Sequence, residues 1–423
     1  MTDLVIYLDD QPCGVATQSA TGSITFRYDE SYRRGAMPTP LSLSMPLAAT
    51  SHKKRAILPY LQGLLPDSAD ALNAIARRYS VSPNSPYAIL AHVGSDVAGA
   101  VQIEEAGVLP LSATGSRTNV RNIDEAEIGA MLRHVVSEYS DGVPYYDSVG
   151  RFSLAGAQPK IALHQGSNGE WGVPLDATPT THILKPAAGT IRRIDVVEQL
   201  TMNAAQHLGN EVAKSELQTI DGLDVFVTVR YDRKLVGGAW RRLHQEDLCQ
   251  ALSVPPSKKY QHRDGGPGLA SIAALIRSLP FERDRREVGR RFYQAFVFNV
   301  VAGCTDAHAK NYSLMLEGES VRLAPLYDLV TNAPYWDGSA RIDSAMSVEG
   351  DYSLAKIGVK KLTAAGRHFG IGEEAAEIVH TTRAGMLTAF ESAIESLPRE
   401  TMAETGIADD LMRGLRRLPL VLS

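Results

Sequence analysis

The apolar pattern changes period several times along the chain, and each change marks an expected element. Leu4 to Leu8 is a short apolar run that meets a polar turn at Asp9-Asp10-Gln11, with a second run behind it, which reads as a β-hairpin. "ITFRYDESY" continues extended, and the prolines of residues 37–49 favour an extended path. "AILPYLQGLLPDSADALNAIARRYS" reads as a helix, a Pro-Asp-Ser break and a second helix, with Asp67 or Ser68 as the N-cap. Ile128, Met131, Leu132 and Val135 recur at helical spacing, and a Gly- and Pro-containing linker follows.

From Ser153 the pattern turns to strands. Two short runs flank Gly-Ser-Asn-Gly, a hairpin signal. "TTHILKP" is a third strand, stopped by Pro186, and "DVVEQLTMNAAQHLG" is a helix closed by Gly209. Two more strands flank Asp221-Gly222, so a sheet of about five strands is expected here. Beyond residue 243 the chain reads as mostly helical. Val288, Phe292, Ala295, Phe296, Asn299, Val300 and Gly303 fall near one face of a helix that ends at Gly303. The expected divisions are 1–108, a connector 109–150, a sheet-rich segment 151–238 and a helical segment 239–423.

The 423 residues, 44% of them hydrophobic, suit a globular protein of two or three domains. The net charge of -5 gives no global attraction to nucleic acid or to a membrane surface. Cys13, Cys249 and Cys304 lie far apart, which argues against a disulfide framework or a structural zinc site. The N-terminus lacks a signal-peptide pattern and no run reaches the ~18 apolar residues of a membrane span. A soluble, cytoplasmic protein is expected.

Against this background "GCTDAHAKN" stands out. A hairpin centred between Gly318 and Glu319 would set Leu314 opposite Leu323 and, extended, return Asp328 to Asn311 and the Asp306 loop. Two carboxylates and an amide supply hard oxygen ligands suited to Mg²⁺ beside a nucleotide. Asp306 and Asn311 also have the Asp-x-x-x-x-Asn spacing of a kinase catalytic loop. Taken singly, Asp306 reads equally as turn chemistry. His308 reads better as a loop-positioning group than as a base or ligand. Lys310 reads either as a phosphate neutraliser or as surface charge. Lys185 ends an apolar strand and could hold phosphates, or could protect a sheet edge. Glu198, on the next helix, could pair with it or be solvated. "SLAGAQPK" is a small-residue loop able to approach phosphates, or a plain connector. Gln245 could reach a nucleotide or cap a helix. Asp264-Gly265-Gly266-Pro267-Gly268 must turn sharply before a helix. Lys356, Lys360, Lys361 and Arg367 form a basic stretch, read as a solvated face or a DNA-phosphate patch.

The stretches "PLSLSMPL", "LLPDS", "FSLAGAQPK", "TPTTHILKP", "RYDR", "RLHQEDLCQAL", "GCTDAHAKN" and "LAPLYDLV" together resemble the HipA family, the kinase toxins of bacterial type II toxin–antitoxin systems. The resemblance implies an α+β fold: a small N-terminal α/β subdomain, then a two-lobed protein-kinase-like domain with a sheet-rich lobe and a larger all-helical lobe. It implies ATP and Mg²⁺ as cofactors, Asp306 as catalytic aspartate, Asn311 and Asp328 as metal ligands, and Lys185 on ATP. It further implies ATP contacts from Asn311 and from Ala155, Gly156, Ala157 and Gln158, with Ser153 as the autophosphorylated serine. The implied partners are a HipB-like helix-turn-helix antitoxin, operator DNA held through it, and an aminoacyl-tRNA synthetase as substrate. Pro159 and Val229 depart from the family pattern, each standing where an acidic residue is expected. A catalytically silent subunit of a repressor complex is the alternative.

Overall fold

The computed structural model describes residues 2–108, 119–141, 153–156, 158–175, 178–188, 191–399, 401 and 406–422. The architecture is α+β, and the chain divides into two units. The first comprises Met1–Ala188, Lys214–Ser257 and Met315–Glu319; the second comprises Gly189–Ala213, Lys258–Leu314 and Ser320–Ser423.

The first unit holds two large sheets and the strand pair Arg233–Val236 and Ala239–Arg242. Strands β1 (Leu4–Leu8), β2 (Gln11–Gln18), β3 (Ile24–Tyr28), β4 (Ser51–Lys53) and β5 (Val101–Glu105) form an antiparallel sheet in the order β4-β3-β2-β1-β5. Asp9 and Asp10 turn the first hairpin at φ of 47° and 69°, a conformation Asp tolerates better than most residues. Helices Lys54–Gly63, Ala69–Arg78 and Pro86–Val93 complete this region, and Ser68, rather than Asp67, caps the second by accepting from the Ala71 N–H. Leu4, Ile6, Phe26, Tyr60, Leu61 and Ile89 share its core.

The second sheet has six strands, one more than expected. β6 (Val120–Asn122), β7 (Ile161–Gln165), β8 (Trp171–Pro174), β9 (His182–Pro186), β10 (Ser215–Ile220) and β11 (Leu223–Val229) lie in the order β10-β11-β9-β7-β8-β6. The extra strand, β6, comes from the connector. Its three residues are too few to show a period. The helix Glu125–Asp141 buries Ile128, Met131, Leu132 and Val135 in the same core as Ile161, Leu184 and Val225. Asp221 and Gly222, at φ of 49° and 73°, make the tight turn between β10 and β11.

A buried charge cluster ties the stretch before β5 to the stretch after β11 and to the strand pair that follows it. The Asp96 carboxylate lies 2.8 Å from Arg233, 3.4 Å from Arg230 and 3.5 Å from Arg242, and Asp232 lies 2.8 Å from Arg230. Burial alone would raise the Asp96 carboxyl; the three guanidinium groups outweigh it and hold the group well below the usual carboxylate range.

The second unit is mostly helical, with the strand Ser320–Leu323 and the strand pair Asp343–Val348 and Asp351–Ser353. Helix Ile194–His207 packs on Gly372–Glu395, and every residue from Asp195 to Met202 is buried. Gly209 follows it at φ 79°, as a residue just past a helix end does. Helix Glu282–Ala302 buries Val288, Phe292, Ala295, Phe296, Asn299 and Val300, the face its sequence announces.

Candidate active site

In the second unit, helix Glu282–Ala302 ends at Gly303, which takes φ 69°, and the Cys304 N–H returns to the Asn299 carbonyl. The chain then turns through Thr305–His308 and one 3-10 turn, Ala309–Asn311, before strand Ser313–Glu317. Asp306 is exposed, whereas Ala307 to Asn311 are all buried. The Asp306 carbonyl accepts from the His308 N–H at 2.8 Å and from Asn311 Nδ2 at 2.9 Å. That bond consumes the donor end of the Asn311 amide and leaves Oδ1 as an oxygen donor for a hard cation.

The returning strand Ser320–Leu323 is in the expected register, since the Ala324 N–H donates to the Ser313 carbonyl at 2.9 Å, with Leu314 opposite Leu323. The register does not run on to Asn311 as expected, because Ala309–Asn311 coil into the 3-10 turn. Tyr327 makes the connection instead. Its hydroxyl donates to the Lys310 carbonyl at 2.8 Å and lies 2.6 Å from Ser313 Oγ, which brings the next residue, Asp328, to the Asp306 loop. Asp328 itself adopts φ 58°, unusual for a non-glycine residue.

His308 reports the same convergence. Burial lowers its pKa to about 4; the charges of Asp306 and Asp328 oppose the shift and that of Lys259 adds to it. The imidazole is therefore neutral near pH 7. Among the described residues no three His, Cys, Asp or Glu side chains group as metal ligands, so a cation here would rest on the Asp328 carboxylate and the Asn311 amide. Lys310 is only 6% exposed, which removes the surface-charge reading: the loop folds inward.

One contact was not foreseen. The Tyr260 hydroxyl donates to Asp306 Oδ1, and the Tyr260 ring meets His308 edge-on at 4.8 Å. The sequence held one signal, the sharp glycine-rich turn that follows Tyr260.

In the first unit, Ser153 is buried, its Oγ donates to the Leu64 carbonyl at 2.9 Å, and its N–H to the Asp96 carbonyl at 3.2 Å. Gly156 pairs with Pro66 at φ 112°, and its carbonyl accepts from the Asp67 N–H at 3.0 Å. Lys160 Nζ donates to the Ala155 carbonyl at 2.8 Å. The stretch is thus docked along residues 64–67 rather than being a plain connector. Gln158 is half-buried, and Ala157 lies outside the described residues. Lys185 sits on β9, an interior strand, so the edge-protection reading falls; its Nζ lies 5.4 Å from the ring centroid of Phe226, its cross-strand partner. Gln245 caps nothing: Asp247 caps helix Leu248–Ala251, while Gln245 Oε1 accepts from the Tyr231 hydroxyl at 2.7 Å. Glu198, in the second unit, is 2% exposed and so not solvated, because its helix is buried all round from Asp195 to Met202. In the basic stretch, Lys361 is committed to Asp351, while Lys356, Lys360 and Arg367 are exposed.

The family description "HipA-like C-terminal domain" matches residues 152–390 and "HipA N-terminal domain" matches residues 4–104. The chain is 34% identical to a putative kinase of Sinorhizobium fredii over 87% of its own length and 86% of that protein's. It is 27% identical to the serine/threonine-protein kinase toxin HipA of Shewanella oneidensis over 85% and 82%. The solved complex of Shewanella oneidensis HipA, HipB and operator DNA contains a chain that superimposes with a TM-score of 0.80, at 24% identity, covering 98% of this chain and 97% of that one. That likeness is one of fold.

Proposed function

This chain belongs to the HipA family of kinases, and we propose from that premise that it transfers the γ-phosphoryl group of ATP to a serine or threonine hydroxyl of a protein. In this reading residues 151–238 and 239–423 are the two lobes of the kinase, and 1–108 is a subdomain joined through 109–150. The observation that carries the reading is the tie between Asp306 and Asn311, with Asp328 delivered to the same loop by Tyr327. The exposed Asp306 carboxylate would accept the proton of the acceptor hydroxyl. Asn311 Oδ1 and Asp328 would hold Mg²⁺, which when bound offsets phosphate charge and aligns the reacting group. Lys185 would meet the phosphates as a point charge. The backbone of Ala155, Gly156, Ala157 and Gln158 would line the nucleotide, and Asn311 would contact it as well.

Ser153 would be the autophosphorylation site. Its hydroxyl now donates to a carbonyl; a phosphoryl dianion has only acceptors to offer there and would be expelled, carrying the loop with it. As a toxin, the chain would pair with a HipB-like helix-turn-helix antitoxin and reach operator DNA through it, as support from the solved relative suggests. Its target would be of the aminoacyl-tRNA synthetase class, in a bacterial cytoplasm; among the described residues no helix is long and apolar enough to cross a membrane.

The test is mass spectrometry of intact protein and peptides after incubation with ATP and Mg²⁺, wild type beside Asp306→Ala. One phosphate on Ser153, absent in the variant, is expected. No phosphate on either protein, starting from unmodified Ser153, would put the silent repressor subunit in its place.

A further inference from the structure

We propose that Tyr260 is a positioning residue, whose hydroxyl sets the orientation of the Asp306 carboxylate for phosphoryl transfer. The inference rests on the kinase reading above and adds a residue to it. The need for such a group follows from burial. Residues 307–311 fix the backbone of the loop, but Asp306 itself is exposed. An exposed carboxylate samples several rotamers, whereas a general base must offer one oxygen at about 2.6–3.2 Å from the acceptor hydroxyl. Among the described residues, Tyr260 is the side chain that hydrogen-bonds this carboxylate, and it engages Oδ1 alone. Oδ2 is left to receive the proton.

Tyr260 is itself held by its ring neighbours and its backbone. Its ring meets the buried His308 ring at 81°, and the Arg263 guanidinium carbon sits 4.3 Å from its centroid. Its carbonyl accepts from the Asp264 N–H at 3.2 Å and from the Gly266 N–H at 3.0 Å. The glycine turn makes this possible. Gly265 takes φ 68°, and a Cβ on Gly266 would stand 2.0 Å from the Lys258 carbonyl oxygen. The run Asp264–Gly268 thus acquires a role: it is the mount that presents Tyr260 to Asp306. A cavity of about 430 Å³ lies beside this contact, lined by Tyr260, Arg263, Thr305, Tyr335, Trp336 and Arg341, and gives an acceptor chain room to approach without displacing the tyrosine. A rigid mount suits an orienting group, because preorganised donors cost no rearrangement during reaction. A group that had to swing aside for the acceptor would need the opposite.

The test is the rate of Ser153 phosphorylation by Mg-ATP in the full chain, wild type beside Tyr260→Phe, across ATP concentrations. The variant loses one oxygen and keeps the ring packing. The maximal rate is expected to fall roughly 10- to 100-fold, as for a slightly misplaced catalytic group, while the half-saturating ATP concentration and the melting temperature stay put. An unchanged maximal rate overturns the inference. A raised rate overturns it too, and makes the hydroxyl a competitor for the acceptor's place. A wild type that takes up no phosphate defeats the kinase reading and this inference with it; an active wild type with an indifferent variant defeats the inference alone.

Discussion

His244 and Glu246 stand two residues apart, both buried, and burial drives them in opposite directions. The His244 pKa is lowered to about 4 by burial, although its ring lies 3.0 Å from the Leu41 carbonyl. The Glu246 pKa is raised to about 8 by burial, against the Leu43 N–H that donates to it at 2.8 Å. The signs follow from linkage. His244 is neutral when folded, so its contribution is whole above its ordinary value of 6.5 and is lost as pH falls toward 4. The Glu246 contribution is whole below 4.5 and is lost as pH rises toward 8. Each group bends the stability curve by at most about 1.4 kcal/mol per pH unit inside its window. Glu246→Gln is therefore expected to flatten the alkaline limb and leave the acid limb, and His244→Gln the reverse. Urea midpoints measured across pH 4.5 to 8 would decide it; parallel curves for wild type and Glu246→Gln would sink the assignment. Neither burial was legible beforehand. "RLHQED" is polar but for Leu243, and polarity in sequence reads as exposure. The same bias hid Lys310 and Glu198, because a buried charge announces itself only through its partners in space.

At the scale of elements, legibility follows length. The helix over Ile128 to Val135, the face of Glu282–Ala302 and the hairpin turned at Asp221-Gly222 were all readable, since each repeats a period or carries a turn dipeptide. Strands Ser51–Lys53 and Val120–Asn122 were not, because three residues hold no period. The Asp306–Asn311 spacing was readable as a motif, but the contact that draws Asp328 to that loop, Tyr327 on Lys310 and Ser313, is set only by the fold. The loop beginning at Ser153 lies between these cases: its composition was plain, its docking was not. Gly156 is the sensitive point. At φ 112° an alanine is strained, and its Cβ would stand 2.3 Å from Lys160 Nζ, the end of the bond to Ala155. Gly156→Ala is expected to cost about 1–3 kcal/mol of docking. The loop would then open without the domain melting: limited proteolysis should cut within residues 153–160 several-fold faster, at a nearly unchanged melting temperature. Equal cleavage rates would mean that the loop absorbs the strain.

Across the first unit, Asp96 is the residue on which the stretch before β5, the stretch after β11 and the Ser153 loop meet. Its carboxylate serves Arg230, Arg233 and Arg242 and accepts from the Thr180 N–H and hydroxyl at 3.0 and 2.6 Å, while its carbonyl holds the Ser153 N–H. Arg230 and Arg233 also surround Asp232, whose carboxylate takes the Gly99 N–H at 2.7 Å. Arg230 and Asp232 follow β11, Arg233 and Arg242 lie on the strand pair behind it, and Asp96 and Gly99 precede β5. The N-terminal region is therefore no detachable appendage: without it three buried guanidinium groups would share one carboxylate. Removing one partner of such a cluster strands charge in a dry interior, at about 3–5 kcal/mol, whereas a surface pair contributes little. Asp96→Asn keeps the shape and removes the charge, so it isolates the electrostatics. It is expected to lower the unfolding free energy of the full chain by that amount, whereas Asp410→Asn, which breaks the exposed pairs to Arg192 and Arg413, should change it by no more than about 1 kcal/mol. Because the stretch that the Asp96 side chain holds in place also presents its carbonyl to Ser153, weakening that hold in Asp96→Asn should loosen the loop as well, read as faster cleavage at residues 153–160. A stable, fully protected Asp96→Asn protein would show that Asp232 alone neutralises the cluster and that these stretches are joined by apolar packing instead.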